Sequence, residues 1–449
     1  MPDIRTSHEK TQTSSRGWEL LKTRDFGLLF AGQTISQIGD SLNKMALLWF
    51  VYELTGSALK MTMIGLLQTL PPLLLGPLIG VYLDRFRKKP VMITVDLLRT
   101  VMILLIPLLY LVESLTLNRL YLLVFANAVV STVFGPALAS SVPLITSKDR
   151  LVAANALMQS TANIGLLVGP AVSGIGIALI GAQNVLYVDA ATFFVSALCL
   201  MPIRIAETLQ PNLSGKGWTE DVASDLLAGF RFVFVEQKTV LLLMLTATLY
   251  SVGISAFVFL LPVFAKDVLV IDPIQLGWLW SALGVGMLLA SFGLASIAQG
   301  DFPRRTHLMS VALAVGGLAV GTLEFLEAPL AVGAVIVVIG VSTAMFTPLV
   351  WSMLQEVTPA PLLGRVFTTF AMGGMAGSMA GMAGFGWATD MLGPRVSLGG
   401  ISFILLITAA AVGTLAWYRS QMDALPATEP GAFAPPTIVT GSRSTLALP

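Results

Sequence analysis

Twenty-three consecutive residues, Met61 to Leu83, carry no charge, and the chain leaves them through Asp84-Arg85-Phe86-Arg87-Lys88-Lys89. A bilayer core of roughly 30 Å needs about 20 helical residues, so this stretch is long enough to cross one. Hydrocarbon offers no water to a peptide group, and a spanning segment must therefore satisfy its own backbone as a helix or within a closed barrel. A dense cationic cluster at one exit assigns that end to the cytoplasmic side. The remainder of the chain has the same character. Charged residues make up 11% and hydrophobic ones 55%, whereas soluble domains are roughly 25% charged. The formal net charge of +1 supplies no concentrated basic face, which argues against nucleic acid as a partner. The lone cysteine, Cys199, excludes an internal disulfide.

Bounding charges and turn residues divide the apolar stretches into twelve expected spans. The first six are 26–52, 61–83, 91–112, 120–143, 152–180 and 184–203; the second six are 239–265, 274–299, 306–323, 328–354, 366–389 and 396–418. Residues 151–188 hold no charge, yet Gly181-Ala182-Gln183-Asn184 is a turn signal that splits them. The expected organisation is a polar tail at 1–25, a six-helix bundle at 26–203, a polar connection at 204–238, a second bundle at 239–418 and a Pro/Ala/Thr/Ser-rich tail at 419–449 that is expected to be disordered. Within the connection, Trp218 to Phe234 has the apolar spacing of an interfacial helix. No cleavable signal peptide is evident, so the N-terminal tail is expected to persist. With that tail inside, 20 of the 26 Lys and Arg fall on the cytoplasmic side, and only Lys60, Arg119, Lys266 and Arg395 face outward. Both termini are therefore expected in the cytoplasm. The halves echo each other: Pro136 to Thr146 matches Pro348 to Thr358 at an offset of 212, and Arg304-Arg305 echoes Lys88-Lys89. Duplication of this kind puts a binding site between the halves, near mid-membrane.

The run Gly80, Asp84, Arg85, Arg87, Lys88, Lys89 resembles the loop between helices 2 and 3 of the major facilitator superfamily, with Arg87 in a slot where glycine is usual. Span five carries Gly165, Gly169, Pro170 and Gly174, which resemble that superfamily's antiporter signature, with Ser173 where a second glycine is usual. Gln33 to Asp40, Glu53 to Ser57 and Gly364 to Phe367 look like the branch containing enterobactin and macrolide exporters. Leu138 stands where many relatives have arginine. The resemblance covers roughly residues 20–420. It implies an all-α membrane protein of twelve helices in two pseudo-symmetric bundles, exporting amphiphilic compounds with the proton gradient. It also implies that Asp84 contacts the other half and latches the outward-facing state.

The polar residues inside spans are the candidate site. Gln33, Gln37, Asp40 and Lys44 follow at steps of four, three and four, on one helical face. A charge near the bilayer centre costs about 2.5–3.5 kcal/mol on insertion scales, so this face must point at protein or water. Asp40 is the expected proton carrier, with Lys44 tuning it; the alternative is an Asp40–Lys44 ion pair at i,i+4. Asp189 in span six either handles protons or bonds a neighbour. Asp96 and Arg99 are expected to form a local salt bridge. Asn155, Gln159 and Asn163 share one face of span five and either line a substrate path or bond across helices. In span eleven, glycines four apart admit a close helix, and Met375, Met379 and Met382 form a soft stripe that suits either ligand contact or packing. Trp278, Trp280 and Trp351 are candidates for interfacial anchoring or ligand contact.

No nucleotide-binding loop is present, since Gly215-Lys216-Gly217 lacks the rest of that pattern. The expectation is a secondary transporter without cofactor or metal, acting as a monomer in a bacterial inner membrane on a small amphiphilic substrate and protons. The two histidines, His8 in the tail and His307 at a span edge, give no basis for a catalytic site. An importer or lysophospholipid flippase of the same fold, and a non-transporting scaffold or sensor, are the alternatives.

Overall fold

A computed structural model describes residues 19–83, 86–147, 150–205, 233–234, 237–297, 302–359 and 362–424. Residues 1–18 and 425–449 of the tails, most of the central connection with its expected interfacial helix, and Asp84 and Arg85 lie outside the described residues, while the last helix runs on to Ala424, into the start of the tail expected to be disordered. The described chain is helical: α1 (Arg24–Thr55), α2 (Ala58–Leu83), α3 (Lys88–Leu111), α4 (Leu117–Ser131), α5 (Phe134–Ile145), α6 (Leu151–Ile180), α7 (Ala182–Leu200), α8 (Lys238–Asp267), α9 (Pro273–Ile297), α10 (Phe302–Thr322), α11 (Pro329–Val357), α12 (Leu363–Leu392) and α13 (Pro394–Ala424). The helices overrun the expected spans by a few residues. Span four departs from expectation and is broken into α4 and α5 at Thr132-Val133. Pro136 cannot donate to the carbonyl four residues back and its ring crowds that carbonyl. The matching Pro348 sits inside the unbroken α11.

Among the described residues ten spans are long and apolar enough to cross a membrane, counting α4–α5 as one. The other two are α1, of 32 residues, and α12, of 30. Both exceed the roughly 20 residues a bilayer requires, but their polar or glycine-rich faces lower their hydropathy. Those faces are turned into protein. Lipid is met instead by exposed apolar side chains such as Leu111, Leu179, Leu330 and Phe403.

Packing follows one pattern twice. In the first half α1 packs on α6 and α7, α3 on α7, and α2 and α3 on α4. In the second, α8 packs on α12 and α13, α10 on α13, and α9 and α10 on α11. Two cross-half seams, α6 on α9 and α12 on α2, are exchanged by the same operation. Glycines locate the crossings. A Cβ on Gly165 would lie 2.5 Å from the Gln37 carbonyl of α1, and one on Gly169 would overlap Ser41. Exactly the same displacement of 212 residues leads to Gly377 and Gly381, where a Cβ would overlap the Thr248 and Val252 carbonyls of α8. Gly174 meets the start of α9 at Pro273, and its counterpart Gly386 meets the start of α2 at Leu59 and Thr62. Gly181 (φ 85°) and Gly393 (φ 89°), again 212 apart, each supply the single left-handed residue that reverses the chain into the next helix.

The α6–α9 seam loosens from its distal end toward its centre. Here the distal end is the one bearing the α1–α2 loop and the proximal end the one where α1 starts. A Cβ on Gly277 would stand 2.5 Å from the Pro170 carbonyl and one on Gly284 3.6 Å from that of Leu166. Hydrogen bonds between the halves, among the described residues, are distal or central: Ser281 to Leu167 at 3.1 Å, Tyr52 to Asp267, and Ser57, Ala58 and Leu59 to Asp390. Among the described residues the halves are held together at the distal end and the centre. Gly277→Val should force α6 and α9 apart at the closed end and lower the distal-closed population several-fold. Spin-label distances across the distal loops check this, and unchanged distances would contradict the seam's role.

Candidate functional site

On α1, Gly32, Ser36, Gly39 and Asn43 form a buried face. A Cβ on Gly39 would overlap Thr192, and the Asp189 Oδ1 would be only 2.6 Å from it. That close approach lets Asn43 Nδ2 donate to Asp189 Oδ2 at 2.5 Å. Asp189 is fully buried. Asp40, next to Gly39, turns toward α3 and accepts a hydrogen bond from the Arg99 guanidinium. Arg99 stacks on the Phe193 ring of α7, its guanidinium carbon 3.7 Å from the ring centre. This stacking directs the edge of the planar cation toward α1.

The expected Asp96–Arg99 salt bridge is accordingly replaced by Arg99–Asp40. Asp96 is fully buried, and neither of its oxygens meets a donor in hydrogen-bonding geometry. Three carboxyl groups, Asp40, Asp96 and Asp189, thus surround one guanidinium within a single half. The Asp40 side chain is 38% exposed while Asp189 and Asp96 are 0% exposed, so Asp40 is the member of the cluster that water reaches.

The polar stripe of α1 is divided between the halves. Gln33 is buried with its Oε1 unpartnered, and Gln37 is half-buried at the α1–α6 crossing. Lys44 does not pair with Asp40. Its ammonium lies 4.7 Å from the Phe259 ring centre and 5.3 Å from that of Trp280, both in the second half. Trp280 is therefore a buried partner of Lys44, Trp278 is an exposed rim residue, and Trp351 packs edge-on against Phe367.

Asn155, Gln159 and Asn163 are all exposed on α6. Asn163 borders a crevice of about 230 Å³ with Tyr250, Met287, Ser291, Thr343 and Thr347. Tyr250 stacks on Phe346 at 3.9 Å and donates to the Thr343 carbonyl at 3.2 Å. Among the described residues, no charged side chain lines it. Met375 and Met379 are half-buried, whereas Met382 is buried where its sulfur fills the space beside Gly65. Met382 thus packs the α2–α12 crossing.

The loop after α2 is tied to helix ends. Lys88 Nζ donates to the carbonyls of Leu83 at 3.1 Å and Phe86 at 3.2 Å, and Lys89 Nζ to that of Met201 at 2.6 Å. Arg87 is exposed at the N-cap of α3. At the opposite end Asp390, from the last turn of α12, caps α2 across the halves. It accepts from Ser57 Oγ at 2.5 Å, Ala58 N at 2.6 Å and Leu59 N at 3.3 Å. The equivalent α9 is capped by its own Asp272, which accepts from Gln275 N at 2.7 Å.

Residues 29–382 match the profile of the Major Facilitator Superfamily. The chain belongs to that superfamily. It is a membrane transporter, and the superfamily's members are transporters rather than enzymes. It is 28% identical over 366 residues to the multidrug efflux pump Tap of Mycolicibacterium fortuitum, covering 80% of this chain and 85% of that one. With macrolide efflux protein A of Streptococcus pyogenes it shares 24% over 354 residues, covering 76% and 84%. The nucleoside transporter NupG has the same fold at a TM-score of 0.70 and 12% identity, covering 90% of this chain and all of that one. A bacterial homologue of the human lysosomal transporter Spinster follows at 0.68 and 14%, covering 88% and 97%.

Against the superfamily's antiporter signature, Ser173 adds a bond where glycine is usual: its hydroxyl donates to the Leu42 carbonyl at 3.0 Å and ties α6 to α1. Asn43, Phe193, Tyr52, Asp267 and Asp390 escaped the sequence reading. Asp267 and Asp390 sit at span ends, where a charge reads as merely solvated, and a cation's aromatic partner leaves no sequence pattern.

Two outcomes follow from this geometry. Arg99→Gln leaves buried carboxyls uncompensated and should destabilise the protein, while combining it with Asp40→Asn should be non-additive by about 1–3 kcal/mol. Thermal melting in detergent measures this cycle, and strict additivity would contradict the pair. Asp390→Ala removes a cap of a type worth about 1 kcal/mol. It should speed labelling of a Thr62→Cys probe, buried in that seam, several-fold in a Cys199→Ser background; an unchanged rate would remove Asp390 from the gate.

Proposed function

We propose that the chain is a proton-coupled exporter of amphiphilic small molecules, working by alternating access with both termini in the cytoplasm of a bacterial cell. The observation that carries the coupling is the arrangement of three carboxyl groups around Arg99, with Asp40 alone open to water. If all three ionised, two negative charges would be left uncompensated away from water, at a penalty of several kcal/mol per ion. The cluster therefore holds protons, and Asp40 exchanges them with the open side. Protonation of Asp40 releases Arg99 to Asp96 or Asp189. Gln37 and Ser41 flank Asp40 and press on Gly165 and Gly169, so a shift of α1 is transmitted to α6 and its seam with α9. Lys44 joins α1 to α8 and α9 through Phe259 and Trp280 and couples the same shift to the second half.

The uncharged crevice beside Asn163 and Tyr250 suits a neutral or amphiphilic ligand, with a few polar groups to orient it. The efflux relatives favour export over import. The bundles at 26–203 and 239–418 rock against each other as a monomer, with Asp390 and Asp267 closing the outer side and the Asp84 loop the inner side. The driving force is sufficient, since one charge crossing 100 mV yields about 2.3 kcal/mol, roughly a 40-fold concentration ratio.

Asp189→Asn keeps the size of the side chain, so the protein should fold. In everted vesicles it should lose proton-driven accumulation of a macrolide by at least about tenfold while keeping substrate exchange. Asp40→Asn should behave likewise. Coupled uptake at the wild-type level in both variants would remove the cluster from the mechanism.

A further inference from the structure

The proximal end of the first half holds a second cavity, apart from the crevice beside Asn163 and Tyr250. A cavity of about 400 Å³ is bordered by Arg24, Arg150, Arg204, Thr146, Ser147 and Asp25. These residues come from the start of α1, the end of α5, the start of α6 and the segment after α7. Arg150 also lies 3.8 Å from Glu19. Among the described residues three guanidiniums therefore face two carboxylates, a net positive lining. Asp25 lies in the first turn of α1 and complements that helix end. The 30-residue α6 has no acid in its first turn and no side-chain cap, so its N-terminal N–H groups add positive potential. The Thr146 hydroxyl oxygen is shielded from solvent and has no hydrogen-bond partner. Exposed apolar Leu144 and Met201 flank the cavity in sequence.

We propose that this cavity binds a phosphate group, most naturally the headgroup of an anionic phospholipid in the adjoining leaflet. Planar guanidiniums grip phosphate oxygens in pairs, and basic pockets at the cytoplasmic membrane face hold anionic headgroups. Occupancy would tie together the ends of α1, α5, α6 and α7.

The test uses the purified full-length protein, with lipid retention by native mass spectrometry and thermal melting as readouts. The probes are phosphatidylglycerol, phosphatidylcholine and inorganic phosphate. Phosphatidylglycerol should be retained and raise the melting temperature, with roughly tenfold weaker retention in Arg24→Gln/Arg204→Gln, which loses two charge-assisted contacts. Both arginines are exposed, so the variant should fold; Lys238→Gln, outside the cavity, should bind like wild type. Stabilisation by inorganic phosphate that the double variant abolishes supports the same site with a free anion as its occupant. Equal retention of phosphatidylcholine, or an effect untouched by the double variant, would overturn the proposal.

Discussion

Backbone contact at glycine is what the architecture depends on. Each half has one helix, α6 or α12, that presents glycines to two neighbours: its own α1 or α8, and the first turn of a helix in the other half. Without a hydrophobic drive between helices in lipid, close packing of small residues is a principal source of association. At Gly165, Gly169, Gly377 and Gly381 a single methyl group would meet a neighbouring helix, three of these times at a backbone carbonyl. These helices have no slack against α1 and α8. A movement of α1 would therefore carry α6, and in the mechanism we propose the α6–α9 seam is where it separates the halves.

The charge cluster sits one turn from these contacts. Its energetics oppose those of an ordinary membrane core, where carboxyls away from water are costly unless paired or protonated. Arg99 satisfies one, Asn43 donates to a second, and Asp96 meets no donor in hydrogen-bonding geometry. An arrangement with one cation and several alternative anions has more than one low-energy pairing. We propose that this is the bistable element of the transporter.

Much of the fold was legible in the sequence because lipid imposes a one-dimensional rule: long uncharged runs become spans, and basic loops mark one side. The repeat offset of 212, read from a short proline-containing match, also relates Gly165, Gly169, Gly174 and Gly181 to their partners in α12. The break in span four was not legible, because Pro136 and Pro348 occupy matching positions and only one interrupts its helix. The site was half legible. Helical spacing put Asp40 and Lys44 on one face, but spacing says nothing about which neighbour each meets. Lys44 crosses to aromatic rings of the other half and Asp40 turns back to Arg99. The local Asp96–Arg99 pairing failed because i,i+3 proximity competes with an aromatic ring that orients the guanidinium elsewhere. Asp84 and Arg85, the most recognisable residues in the sequence, lie outside the described residues.

The account's central claim is that substrate movement and proton movement are one event. Purified protein in liposomes, with a pH gradient imposed and a pH-sensitive dye on one side, tests this directly. Addition of a transported macrolide should dissipate the gradient at a rate that saturates with substrate. Transport of the macrolide with no change in the dye signal would contradict the account.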